Sequence, residues 1–174
     1  TENGPENGSA GDAATAPGAQ LAGVVGVQQA EIGAEIGSRT FGQRVAAAAS
    51  NDSKGAIVAG TLNDSRERLS ELRTRRAELE AARESGNVSR GRYRAQTARL
   101  TARINAIESR LEQANETATA LPQSVRERRG IDTADIERLR ETARNLTGPE
   151  TAEIARGIAG ANPGRGLGEE PPGR

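Results

Sequence analysis

Two stretches of seven-residue periodicity, separated by Ser85-Gly86-Asn87, constrain this chain more than any other feature. In the first stretch the seam positions hold Val58, Leu62, Ser65, Leu69, Leu72, Arg76 and Leu79. In the second they hold Tyr93, Thr97, Leu100, Ile104, Ile107, Leu111, Ala114, Ala118 and Leu121. Gly86-Asn87 reads as a helix C-cap and turn, and Ser89 as the next N-cap, with Val88 and Tyr93 as its hydrophobic staple. So short a connection forces the two helices antiparallel. The hairpin then spans 57–120 and sets Leu79 opposite Tyr93, Leu72 opposite Leu100, Leu69 opposite Ile104 and Leu62 opposite Leu111. Glu80–Arg94 and Arg66–Glu108 bring opposite charges together in this register, whereas Arg68–Arg103 is a like-charged contact. Arg76 against Thr97 and Ser65 against Ile107 leave the interface half polar. Fully burying a Leu or Ile contributes about 1.5–3 kcal/mol, and a two-helix seam covers each only in part. The hairpin therefore needs a third surface: the N-terminal helix, the C-terminal helices or another copy of the chain.

Composition says what the rest cannot be. Leu, Ile, Val and Phe number 28 of 174 residues, against 30 Ala and 21 Gly. There is one Phe and one Tyr, with no Trp, Met, Cys or His. A sandwich, barrel or doubly wound sheet needs more β-branched and aromatic volume than this. The expected fold class is all-α: an antiparallel, coiled-coil-like helical hairpin, a preceding Gly-rich helix, short C-terminal helices and flexible termini. Lacking Cys and His, the chain has no disulfide, no thiolate nucleophile, and neither the commonest metal ligand nor the commonest general base.

Residues 1–17 and 160–174 are Gly/Pro/polar tails without apolar periodicity, leaving 18–159 as a helical domain. Within it, Leu21, Val25, Ile32 and Ile36 fall at helical spacing among Gly23, Gly26, Gly33 and Gly37. Each Gly costs a helix about 1 kcal/mol relative to Ala, so weakening of this segment is the first expectation and a close-packing face the second. A helical pattern runs on from Ser38 through Phe41 and Val45 and weakens at Asn51–Gly55. Beyond the hairpin, helices are expected at 122–129 (Pro122 near N1, Gly130 ending it), 132–145 (Asp132 as N-cap) and 149–159.

Arg92, Arg99, Arg103 and Arg110 recur at spacings of seven, four and seven and form one stripe on the second hairpin helix. Such a stripe can meet phosphates, face water, or meet the acidic N-terminal segment, since residues 1–38 carry five acidic and no basic side chains. The 23 Arg against a single Lys fit a GC-rich genome as well as any function. Zero net charge, and no aromatic for base stacking beyond the seam's own Tyr93, disfavour nucleic acid as a partner. No catalytic, cofactor-binding or metal-ligating set emerges. Glu169-Glu170 lies in a tail, Glu31 and Glu35 sit at the spacing of an exposed helix face, and Asn51-Asp52-Ser53 lacks the downstream ligands of a calcium loop. Gly164–Gly168 matches GxGxG but follows no strand. No run approaches the roughly 20 apolar residues a membrane span requires.

Of nine Asn, six open an Asn-x-Ser/Thr triplet: Asn7, Asn51, Asn63, Asn87, Asn115 and Asn145. Chance gives about one such triplet at this Ser/Thr content, so glycan acceptors on an exported chain are expected; a start at Thr1 is what signal-peptide removal leaves. The segment LAGVVGVQQAEIGAEIGSRTFGQRVAAAASNDSKGAIVA, the SGNVSRGRY turn and LTGPETAEIARGIAG together resemble exported helical proteins of halophilic archaea, a group without characterised activity. The resemblance spans nearly the whole chain and implies an extracellular, glycosylated protein with no catalytic residues to carry over. The chain departs from it in being neutral, with five Asp. The expected function is that of an exported, non-enzymatic helical structural or interaction protein, a self-assembling cell-surface subunit of filament or envelope. It needs no cofactor and works through self-association or another helical protein. The competing class is an Arg-stripe binding module for nucleic acid or another anionic polymer, and a cytoplasmic address stays open beside the extracellular one.

Overall fold

A computed structural model describes residues 17–148. Five helices account for nearly all of it: α1 (Pro17–Ala47), α2 (Asn51–Glu84), α3 (Arg90–Ala120), α4 (Gln123–Arg129) and α5 (Thr133–Thr147). The protein is all-α, with no strand among the described residues. The tails at 1–16 and 160–174, and the helix expected over 149–159, lie outside the described residues.

Local chemistry sets each boundary. At the hairpin turn Gly86 takes φ 72°, and the Asn87 and Gly86 amides donate to the Ala82 and Arg83 carbonyls at 2.9 and 3.1 Å. That reversed pair of bonds closes α2 in the manner only a residue tolerant of positive φ permits. Ser89 caps α3 by accepting from the Arg92 amide, and Asp132 caps α5 by accepting from the Ala134 amide at 2.9 Å. Gly130, at φ 62°, ends α4. The first two helices divide differently from the expectation. The Gly-rich segment and the stretch after Ser38 form one helix, α1, and the break falls at 48–50 rather than at Asn51–Gly55. Ser50, extended at φ −146°, ψ 160°, accepts from the Ser53 amide at 3.1 Å, so Asn51–Gly55 is the first turn of α2. The alanine run at 46–49 is good helix material up to and into the break; the cap, not propensity, places it.

α2 and α3 pair antiparallel, and their aliphatic faces make the core. Val58, Leu62, Leu69, Leu72 and Leu79 of α2 are buried against Tyr93, Ile104, Ile107 and Leu111 of α3, while Leu100 is half-buried at the edge. α5 lies along the same side of α3, where Asn115–Glu137, Glu112–Arg140 and Glu108–Arg144 descend α3 as they ascend α5, so these two helices are also antiparallel. Ile136, Ala143 and Leu146 carry the core outward beneath them. This third helix redirects charges expected to pair within the hairpin. Arg66 turns to Asp135 of α5 at 3.9 Å, and Glu108 to Arg144 at 2.9 Å, instead of to each other. Arg76 leaves the seam as well: its guanidinium donates to the Leu146 carbonyl at 2.6 Å, satisfying the C-terminus of α5 where the helix dipole favours a cation.

α1 packs on α3 by a different rule. Gly26 sits under Arg99, and Gly37, eleven residues on, sits under Arg110, also eleven residues on. Residue numbers rise together, so the two helices are parallel. Gly23 and Gly26 are buried, and the Arg99 guanidinium donates to the Ala22 carbonyl at 2.6 Å. Gln113 bonds Ser38 further along. Gly23, Gly26 and Gly37 are thus on the close-packing face of an unbroken helix, whereas Gly33 is exposed and a Cβ there meets nothing within 4 Å. A Cβ at Gly26 collides with the Arg99 stem, whereas one at Gly42 meets nothing within 4 Å. Gly26→Ala is expected to destabilise the fold by about 1 kcal/mol or more despite its gain in helix propensity, and Gly42→Ala to stabilise it by about 0.5–1 kcal/mol; paired urea melts read both.

Candidate functional site

The small residues that bring α1 against α3 send its large ones outward. Leu21, Ile32 and Ile36 are 60–65 % exposed, and Val25 is 42 % exposed. Successive helical residues turn by about 100°, which puts these four on one stripe nearly opposite Gly23, Gly26 and Gly37. All the exposed large hydrophobics among the described residues are on α1. An ordinary bundle helix turns such a stripe inward. Here the inward positions are Gly and Ala with Phe41 and Val45 at the far end, so the aliphatic face is left to solvent.

Because α1 rests on α3 and touches α2 only slightly, open ground lies on either flank. On one side Val24, Val27, Glu31 and Glu35 of α1 face Ala98, Ala102, Asn105 and Ser109 of α3 across a trough of about 690 Å³. On the other a cleft of about 370 Å³ has α1 as one wall, with Arg68, Glu71 and Arg75 of α2 and Arg103 and Arg110 of α3 around it.

The arginine stripe is divided by this packing. Arg99 and Arg110 turn onto α1, while Arg92 and Arg103 are exposed. Burial first, and the charge of Arg68 second, hold the Arg110 guanidinium below its ordinary value, with Asp64 acting the other way. The charge of Arg68 thus acts on Arg110, and Arg103, its expected like-charged neighbour, borders the same cleft. The stripe meets the N-terminal helix largely through its backbone and glycines, not its carboxylates; Glu35 pairs within α1 to Arg39 at 2.7 Å.

Among the sequon residues, Asn51, Asn63, Asn87 and Asn145 are exposed, at the start of α2, on its open face, in the hairpin turn and in the last turn of α5. Asn115 is half-buried and donates to Glu137 at 3.4 Å. Asn7 lies outside the described residues, as do Gly164–Gly168 and Glu169-Glu170. Asp52, in the cluster that resembled part of a calcium loop, instead holds α4: Arg129 Nε donates to its Oδ1 at 3.2 Å, with Arg128 alongside. Gly55 makes room for that contact, since a Cβ there would lie 2.9 Å from Val125 Cγ1. No group of three or more acidic side chains able to hold a metal occurs among the described residues, and no helix there is long and apolar enough to cross a membrane.

Comparison with known protein families, curated proteins and solved structures returns no match.

The hydrogen bond from Arg129 holds the Asp52 carboxyl below the usual carboxylate range, aided by the charges of Arg129 and Arg128 and opposed by desolvation. Its folded value is depressed, so its contribution is complete above the unfolded value near 4 and is lost as pH falls through the folded value. Amide protection factors in 123–129, taken relative to intrinsic exchange at the same pH, are expected to fall below about pH 4 ahead of those in the α2–α3 seam. Asp52→Asn should show the lower protection already at pH 7 and lack the acid step.

Proposed function

We propose that this is an exported, non-enzymatic helical structural protein that self-associates through the outer stripe of α1. The observation that carries the reading is Leu21, Val25, Ile32 and Ile36, an aliphatic line on a helix whose other face is already used. Its spacing is four, seven and four residues, the same from either end. Antiparallel pairing of two copies therefore sets Leu21 of one against Ile36 of the other, and Val25 against Ile32, which is the self-complementarity a two-fold interface requires. Gln28 and Gln29 fall at the axis and add no like-charge penalty there.

The sequon pattern supports export, and its placement is compatible with assembly: α1 contains no Asn, so glycans on α2, the hairpin turn or α5 leave the stripe uncovered. The resemblance to exported helical proteins of halophilic archaea points the same way. Division of the arginine stripe counts against the reading as a docking face for nucleic acid or another long polyanion, since Arg99 and Arg110 are engaged with α1.

A contact four helical turns long is smaller than the roughly 800 Å² per partner of a standard interface, so an affinity of about micromolar or weaker is expected. Sedimentation velocity over a concentration series should show mass rising with concentration, and Ile32→Asp with Ile36→Asp should return the protein to monomer with an unchanged far-ultraviolet circular dichroism spectrum. A single monomeric species up to millimolar concentration overturns the assembly. Intact mass of native material tests export separately: added hexose supports it, and the bare polypeptide mass opposes it.

A further inference from the structure

The cleft between α1 and the hairpin is bordered by four guanidinium groups. Arg68 and Arg75 stand on α2, Arg103 and Arg110 on α3. None of the four makes a hydrogen bond or ion pair among the described residues. On the same helices Arg66, Arg76 and Arg99 each have a carboxylate or carbonyl partner. Glu71 on the rim and Asp64 near Arg110 offset two of the four charges, leaving the cleft at +2 (four Arg against two carboxylates).

The arrangement is also regular. On each helix the two Arg are seven residues apart, two turns or about 10 Å. Arg68 lies close enough to Arg110 for its charge to act on it, and Arg75 and Arg103 border the same cleft. Between the two pairs the surface is apolar, formed by Leu72, Ala106 and Ile107 with Ala30 and Ala34 of α1, and Gly33 leaves the wall without a side chain. Cationic ends and a greasy middle select a ligand of complementary build. We propose that the cleft binds an elongated bis-anionic small molecule, of the long-chain α,ω-dicarboxylate type, with its anionic groups about 10 Å apart and a hydrocarbon middle. Each carboxylate takes the forked donors of one Arg pair, and the chain covers Leu72 and Ile107. The volume of about 370 Å³ suits such a molecule and lies at the small end of ligand pockets. This inference stands apart from self-association, because the cleft and the outer stripe are on different faces of α1.

Calorimetric titration of the full chain with decanedioate, butanedioate and inorganic phosphate tests it. Decanedioate should bind, and butanedioate and phosphate, which reach only one Arg pair, should bind at least tenfold more weakly or not at all. Arg75→Gln and Arg103→Gln, both at exposed positions, should each weaken decanedioate by about tenfold with melting temperature unchanged. Arg92→Gln, on the same helix but outside the cleft, should leave it as it is. Equal affinity for the long and short diacids, insensitivity to Arg75→Gln and Arg103→Gln, or no heat at 10 mM decanedioate overturns the proposal. So does tighter binding of a single-stranded oligonucleotide that displaces the diacid, which would assign the cleft to a polymer. Because a monomeric protein can still bind the diacid, loss of self-association and loss of the site are read independently.

Discussion

α3 has to pack against three helices at once, and it does so with a chain that has few large side chains to offer. Its solution is to give each neighbour a different chemistry. Toward α2 it presents Ile104, Ile107 and Leu111, the only aliphatic seam of any depth. Toward α5 it presents Glu108, Glu112 and Asn115, which meet arginine and glutamate above a thin apolar floor. Toward α1 it presents Arg99 and Arg110, laid across glycine. A guanidinium stem on a Gly backbone excludes water over nearly the area a Leu would, and its head can still reach a carbonyl, as Arg99 does at Ala22. That contact is what sets the position of α1, and the position of α1 creates the exposed stripe, the trough and the cleft.

Arginine consequently has several roles that composition cannot separate. Arg76 ends a helix by binding its last carbonyls, Arg129 anchors α4 to Asp52, Arg140 and Arg144 align α5, and Arg99 and Arg110 fill space against α1. Exposed ion pairs of this kind contribute about 0–1 kcal/mol each, so their collective effect is on alignment more than on stability. Arg68, Arg75 and Arg103 of the cleft, and Arg92, make no ion pair among the described residues, so their charge is still available to a partner outside the fold.

The inverted polarity of α1 ties architecture to function. Had Leu21, Val25, Ile32 and Ile36 faced α3, the bundle would have gained a second deep seam and lost its outward one. Gly23, Gly26 and Gly37 allow a closer approach than any aliphatic side chain, and close approach maximises dispersion contacts along the whole helix. The cost is solvent exposure of four large side chains, a cost that association with another apolar surface removes.

The sequence by itself determined what is local or strictly periodic. The turn at Gly86-Asn87, the caps at Ser89 and Asp132, the end at Gly130 and the Leu/Ile faces of α2 and α3 follow from residue chemistry and a seven-residue repeat. Tertiary structure alone decided where the charges went and which face of α1 turned inward. Arg66 and Glu108 look like partners until α5 lies between their alternatives. The break before α2 is hidden because the alanine run leading into Ser50 favours helix. The glycines of α1 are equally consistent with weakness and with close packing, because a residue without a side chain carries no information about its neighbour until that neighbour is in place. Long-range pairing depends on which helices become adjacent, and adjacency is a property of the whole packed volume rather than of any segment of it.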